Sequence, residues 1–293
     1  MTLRAPELEE APAVASLFAQ FFPSPVSPDV LRTAWTQPRF DRARDARIAV
    51  SGDGEVTGYA DAEAVGEGAD KAWLWVFGEP EDELAQWAER RAAELVPPPA
   101  RVLANAWSEN EQGKRLLERR GFRLVRHSYR MAIDLEPELE PPSWPERISV
   151  RTLHSGDERT FYEVHQEAFE DHWEHVRRPY DEWAHWMLAP ERYRPELWFL
   201  AMDGDEPAGV SICFPDDVEA DVGWIGILGV RRAWRRRGVG RALLLHSFAE
   251  FGRCGFRRVQ LGVDADSLTG AVRLYERAGM RVVHCLDFYE KAL

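Results

Sequence analysis

Cysteine is scarce in this chain. Its 293 residues include 3 cysteines, Cys213, Cys254 and Cys285, set far apart and never in a C-x-x-C pair. That argues against a disulfide framework or a thiolate zinc site and fits a reducing cytoplasm, where the protein is expected to work. Long apolar runs are missing too. No stretch of about eighteen apolar residues is present to cross a bilayer, and the opening Met-Thr-Leu-Arg-Ala-Pro-Glu-Leu-Glu-Glu has no apolar signal core, so no membrane partner is expected. Positive charge is in deficit. With 37 Lys and Arg against 50 Asp and Glu, the formal net charge is −13. Nucleic-acid binding needs a broad basic surface, so it is not expected either. What is present describes a globular protein: 45% hydrophobic residues, 30% charged residues and 12 tryptophans, several suited to lining clefts. The length accommodates two ordinary domains.

Against this acidic background one stretch stands out. Trp224 to Val230 is apolar, and the next eleven positions, 231–241, carry six arginines. Gly238 and Gly240 open an apolar helical pattern with Val239, Leu243, Leu244, Phe248 and Phe251 at helical spacing. A strand, a glycine-containing turn and a helix N-terminus together make an anion site. The first-turn N–H groups are free, the dipole is positive there, and glycine admits a phosphate to the main chain. A solvated basic loop is the plain alternative. The glycines and the preceding strand favour a site for a phosphorylated cofactor.

The chain also repeats itself at an interval of roughly 150 residues, which suggests duplicated domains. Leu3-Arg4 opens one copy and Ser149–Leu153 the other. Helical segments 13–22, with Pro12 suited to the first turn, and 158–169 follow. Then come two hairpins turning at Gly52-Asp53-Gly54 and Asp203-Gly204-Asp205. Both copies close alike, at Leu116–Phe122 and Leu274–Met280. Between them, residues 135–145 carry four prolines among acids and make a linker. The expected domains are 1–142 and 143–293. In the second, a strand at 259–264 is expected before a helix capped by Ser267 or Thr269 and ended at Gly279, and a last strand from Val282 to Tyr289. The expected fold class is α/β: a mixed sheet with flanking helices, made twice.

Leu228-Gly229-Val230 followed by Arg235-x-x-Gly238-x-Gly240 resembles the acetyl-CoA signature of the GNAT N-acetyltransferases. The run from Val263 to Met280 is similar to that family's next strand and helix, and both blocks stand at the right spacing. The duplicated layout and the stretch Phe169–Trp173 resemble the tandem GNAT proteins, of which mycothiol synthase is one branch. The resemblance implies two tandem GNAT-fold domains and acetyl-CoA as co-substrate. It implies that Arg235 belongs to the cofactor-binding loop, that the backbone amides near Arg236, Arg237, Gly238, Val239, Gly240 and Arg241 hold the pyrophosphate, and that Leu228, Gly229 and Val230 pair with the pantetheine arm. Ser267 stands where family members often have Asn. Tyr275 matches the family tyrosine that protonates the departing thiolate. The first copy departs from the pattern. Gly78-Glu79-Pro80-Glu81-Asp82-Glu83 replaces the arginine-glycine loop, and Leu117 replaces the tyrosine. Its carboxylates would repel a pyrophosphate, so the first domain is expected to support the second rather than to bind acetyl-CoA in the usual way.

The implied reaction is direct transfer of an acetyl group to a primary amine of a small molecule. No nucleophile motif is present to form an acyl-enzyme. The central strand carries no acid, so the candidate bases are Asp221, just before it, and His172 in the expected acceptor region. His172 and His175 alone are too few for a metal site, and no metal is expected. The acidic loop from Asp216 to Asp221 is a solvated loop or a lure for a cationic amine. Two other readings stand beside the enzyme: a non-catalytic acetyl-CoA sensor, and a protein or peptide acetyltransferase. The chain is expected to act as a monomer or homodimer.

Overall fold

In a computed structural model of the chain, residues 1–23, 26–66, 68–136, 140–190 and 192–293 are described. The chain forms two compact units, residues 1–128 with 284–293 and residues 129–283. Residues 137–139 of the expected linker lie outside the described residues.

The first unit contains β1 (Thr2–Arg4), α1 (Ala11–Phe18), α2 (Pro28–Trp35), α3 (Arg42–Asp45), β2 (Ala46–Val50), β3 (Val56–Ala64), β4 (Lys71–Gly78), α4 (Glu81–Leu95), β5 (Arg101–Trp107), α5 (Glu111–Arg119) and the start of β6 (Arg123–Asp134). The second contains the rest of β6, then β7 (Ile148–Thr152), α6 (Glu158–Ala168), α7 (Tyr180–Met187), β8 (Trp198–Asp203), β9 (Glu206–Pro215), β10 (Val222–Val230), α8 (Val239–Arg253), β11 (Arg258–Asp264), α9 (Ala271–Arg277) and the start of β12 (Arg281–Ala292). The larger part of β12 belongs to the first unit, where Leu286↔Trp107 to Ala292↔Arg101 pair it antiparallel with β5.

Each unit builds its sheet by the same rule. An antiparallel meander, β1-β2-β3-β4 or β7-β8-β9-β10, is followed by a parallel strand reached through a helix. The parallel pairs need those crossover helices, α4 and α8, because a tight turn only reverses the chain. α8 buries Val239, Leu243, Leu244, Phe248 and Phe251 against the strands of the second unit, so its apolar periodicity reads as its core face. Burying Phe248 and Phe251 contributes roughly 1.5–3 kcal/mol each. α9 ends as the sequence indicates. Gly279 is left-handed (φ 92), Gly279 N–H bonds the Glu276 carbonyl and Met280 N–H bonds the Tyr275 carbonyl. Its start differs from expectation. Gly270 is the N-cap without a side-chain bond, while Ser267 and Thr269 bond each other at 2.9 Å. The two hydroxyls satisfy one another in the turn before the helix.

Glycine sets the close approach of sheet and helix in the second unit. A Cβ on Gly223 of β10 would overlap the ring of Phe251, which is 0% exposed and cannot withdraw. Gly223→Ala is therefore expected to destabilise the protein by about 1–3 kcal/mol. Gly262→Ala on β11, where a Cβ meets nothing within 4 Å, is expected to leave stability unchanged. Thermal unfolding of the two variants checks the contrast.

Candidate functional site

β10 and β11 begin as parallel neighbours and then part. Their register runs from Val222↔Arg258 to Ile225↔Leu261, after which β10 continues to Val230 paired with β9. A bulge falls between Ile225 and Ile227 on the β9 side. Gly226 sits there because a Cβ would press on the Phe214 ring. Bulges bend a strand, and this one steers the end of β10 away from β11. The edge of β10 from residue 226 to 230 thus faces a wedge, with Leu228 and Val230 on one face and Gly229 on the other. Gly229 is needed for packing: a Cβ there would sit 2.8 Å from the Ala168 Cβ and 3.1 Å from the Phe169 ring.

Residues 231–238 lead from β10 to α8. Arg236 (φ 60) and Gly238 (φ 90) are both left-handed, which curls the loop into the kind of turn that can gather backbone N–H groups. α8 starts at Val239 with no side-chain cap and no acid in its first turn. Its first-turn amides are free for an anion.

The arginines divide into two groups. Arg235 donates to the Val230 carbonyl (3.1 Å), to Asp171 (2.6 Å) and to the Ala168 carbonyl (2.9 Å). Arg231 bonds Glu167 (2.7 Å) and the Pro207 carbonyl (2.9 Å), and Arg232 bonds Asp171. These three clamp the loop to the end of α6, and the guanidiniums of Arg235 and Arg232 hold the Asp171 carboxyl below its usual range. Arg241 pairs with Glu140. Among the described residues Arg236 and Arg237 make no ion pair, and both are exposed. They are the cations available to a ligand. Asp171, Glu167 and the Ala168 carbonyl lie outside the sequence signature. An acid directly after α6, ahead of an arginine-rich loop, was the signal available for them.

Tyr275, on α9, packs in the core cluster of the second unit and is 7% exposed. Its hydroxyl makes no hydrogen bond among the described residues, and burial raises the phenol above its usual value. Ser267 lies in the turn between β11 and α9 with its hydroxyl on Thr269. His172 is brought to the site. Its ring lies 4.3 Å from that of Phe169, which itself lies against Gly229. Burial lowers the His172 imidazole below its ordinary value. His175 and Arg235 add to this, while Asp264 and Asp171 partly oppose it. Beside it, His165 accepts a bond from the Trp183 indole at 3.0 Å and is pushed down to about 3, chiefly by burial.

Asp221 is not brought there. It precedes β10 at the opposite end from Val230, exposed, with its carbonyl taken by the Arg257 N–H at 2.8 Å. At roughly 3.3 Å per residue the strand separates it from the Val230 end by about 30 Å. The acidic loop before it is engaged as well. Asp217 pairs with Arg192, and Asp216 accepts from the N–H groups of Val218 and Glu219.

The first unit has the same wedge without the loop. The parallel register of β4 and β5 ends at Leu74↔Ala104 while β4 continues to Gly78. The space beside it is a small pocket bordered by Leu74, Val76, Ala104, Leu117 and Phe122. β4, however, reaches α4 through Glu79 and Pro80 alone. Glu81, Asp82 and Glu83 fill the first turn, and the Glu79 carboxylate accepts the Glu81 N–H at 3.2 Å. Glu81 also bonds Arg119 (2.6 Å) and Gln112 (3.0 Å) on α5. The place of an anion is taken by the chain's own carboxylates.

The model of the acetyltransferase (GNAT) family matches residues 159–280. A GCN5-related N-acetyltransferase from Sphaerobacter thermophilus is 34% identical with a TM-score of 0.77, over 99% of this chain and 95% of that one. A tandem GNAT protein from the clavulanic acid biosynthesis pathway shares the fold, with a TM-score of 0.78 at 16% identity over 99% and 98% of the two chains. Among curated proteins, the mycothiol acetyltransferase of Thermobispora bispora is 31% identical over 54% of this chain and 55% of its own length. That of Nocardiopsis dassonvillei is 32% identical over 49% and 45%. The chain spans about half the length of the curated relatives it matches.

The clamp has a measurable consequence. Arg235→Ala removes bonds to one carboxylate and two carbonyls, and charged hydrogen bonds are worth about 1.5–3 kcal/mol. Exchange of the Trp234, Arg235 and Ala242 amides, hydrogen-bonded within the loop and its helix start, is expected to accelerate about ten- to a hundredfold. Amides of α4 in the first unit are expected to keep their rates. Hydrogen-exchange mass spectrometry reads both.

Proposed function

The chain belongs to the GNAT acetyltransferase family, and from that premise we propose that it is an acetyl-CoA-dependent N-acetyltransferase acting on the primary amine of a small molecule, with acetyl-CoA held in the second unit. One observation carries this reading: β10 leaves β11 after Ile225, directly before a curled loop and an uncapped helix N-terminus. The pantetheine arm lies along Leu228, Gly229 and Val230 as an added strand. The pyrophosphate sits on the amides from Arg236 to Arg241, with the Arg236 and Arg237 side chains beside it. Arg235 acts as a positioning residue through its bond network, and Ser267 borders the pantetheine from the turn before α9.

The reaction follows from these placements. A neutral amine attacks the thioester carbonyl carbon, a C–N bond forms, and a β10 backbone N–H receives the developing oxyanion. The C–S bond then breaks. The amine loses its proton to His172, directly or through water, and Tyr275 gives its phenolic proton to the departing thiolate. Holding both substrates side by side supplies much of the acceleration. Asp221 has no part, because it stands at the far end of β10. The names of the curated relatives support a small-molecule acceptor over a protein one.

Removing the Tyr275 hydroxyl as Tyr275→Phe is expected to lower kcat roughly ten- to a thousandfold while CoA affinity stays nearly intact. An unchanged kcat would remove it from the mechanism. Thiol release over a panel of primary amines is the readout. Acetyl-CoA binding with no release would favour the sensor.

The pH profile follows from the sign of each shift. His172 is held below 6.5, so it is neutral and able to accept a proton at pH 7, and kcat/KM is expected to fall only as pH drops through its lowered value. Tyr275 is raised, so it keeps its proton to beyond the usual phenol range and sets no limb below about pH 10. His172→Gln is expected to remove the acid limb. An acid limb that survives the substitution assigns the base elsewhere.

A further inference from the structure

Three side chains of the first unit that play no part in acetyl transfer converge on one point. His127 lies on β6, and Cys285 and Asp287 lie on β12. Strand alternation sends positions 285 and 287 to the same face. His127 Nδ1 is 2.8 Å from Asp287 Oδ1 and 3.8 Å from Cys285 Sγ, and Sγ is 3.5 Å from that same carboxylate oxygen. Ser108, just beyond β5, donates its hydroxyl to Asp287 Oδ1 at 2.8 Å and its N–H to the Cys285 carbonyl at 2.9 Å. One residue thus fixes the positions of two others.

Two chemistries use these residue types. In a nucleophilic triad the imidazole meets the thiol with one ring nitrogen and the carboxylate with the other. Here thiol and carboxylate both approach Nδ1, which is the arrangement of donors around a shared centre. Tetrahedral zinc, with bonds of about 2.0–2.1 Å to nitrogen or oxygen and about 2.3 Å to sulfur, spaces its ligand atoms about 3.4–3.6 Å apart. The two sulfur spacings lie within about 0.3 Å of that. The third is a hydrogen bond that must open by about 0.6 Å when a cation takes the place of the shared proton.

We propose that His127, Cys285 and Asp287 form a binding site for a divalent transition metal of the zinc type. A thiolate, an imidazole and a carboxylate match a borderline-soft cation and cancel its two charges. Binding forms the metal–sulfur bond and releases the thiol proton to solvent. Asp287 is buried and held by Ser108, as outer-sphere partners hold metal-binding carboxylates. The half-exposed His127 leaves a fourth position to water. Lys114, nearby, donates to the Ser108 carbonyl and pairs with Glu111, so its charge is already compensated.

The test uses the full chain, stripped with a chelator and titrated with Co²⁺ and then Zn²⁺. One equivalent of Co²⁺ is expected to give a thiolate-to-cobalt charge-transfer band that Zn²⁺ abolishes. Ser108→Ala is expected to weaken Zn²⁺ binding about 10–100-fold. Cys285→Ser is expected to lose the band, and Cys254→Ser, at an exposed cysteine of the second unit, to keep it. Circular dichroism establishes that the variants are folded. Should Cys285→Ser fail to fold, slower modification of Cys285 in the parent chain on adding Zn²⁺ supports the site, and unchanged modification overturns it. Absence of the band in the parent chain, or its survival in a folded Cys285→Ser, also overturns it.

Discussion

The Arg235 guanidinium is the contact on which the second unit's site depends. It joins the carbonyl that ends β10, the carbonyl that ends α6 and the carboxylate of Asp171. It is the contact that ties the loop from 231 to 238 directly to the last carbonyl of the strand beside it. With it, the free amides of α8 and the free edge of β10 are held in one place. Arg231 and Arg232 widen the same clamp. The conspicuous density of positive charge therefore divides: Arg231, Arg232 and Arg235 hold the loop, Arg241 pairs with Glu140, and Arg236 and Arg237 stay exposed.

The two units make the point by contrast. Both carry an antiparallel meander, a parallel strand and a wedge where that parallel pair ends. They differ in the two or three turns of chain after the wedge. In the second unit a long loop with two left-handed residues leads to an uncapped helix. In the first unit a short connection leads to a helix whose first turn is acidic and whose Glu81 is bonded across to α5. The dipole of α4 is answered by the chain's own carboxylates, which stabilise the helix. The wedge follows from the sheet, whereas the charge and the free amides beside it follow from the loop.

Much of this was legible in the sequence because it is local. Apolar periodicity gave α8, Asp/Gly turns gave both hairpins, and Gly279 marked the end of α9. The arginine-glycine loop was visible as a charge run against an acidic chain. What was not legible depends on partners remote in sequence. Arg235 and Asp171 are 64 positions apart, and His127 and Cys285 are 158 apart, so no spacing rule reveals them. Asp221 read as a neighbour of the site because it adjoins β10 in sequence. An extended strand carries its two ends to opposite ends of the sheet. The Ser267 and Thr269 hydroxyls read as caps by type, yet satisfied each other.

The measurement that tests the account most directly is a crystal structure of the full chain with acetyl-CoA. The pyrophosphate is expected on the amides between Arg236 and Arg241, with the thioester in the wedge beside Leu228 and Tyr275 facing the sulfur. Acetyl-CoA bound instead in the wedge between β4 and β5, with the α8 amides left to solvent, would contradict it.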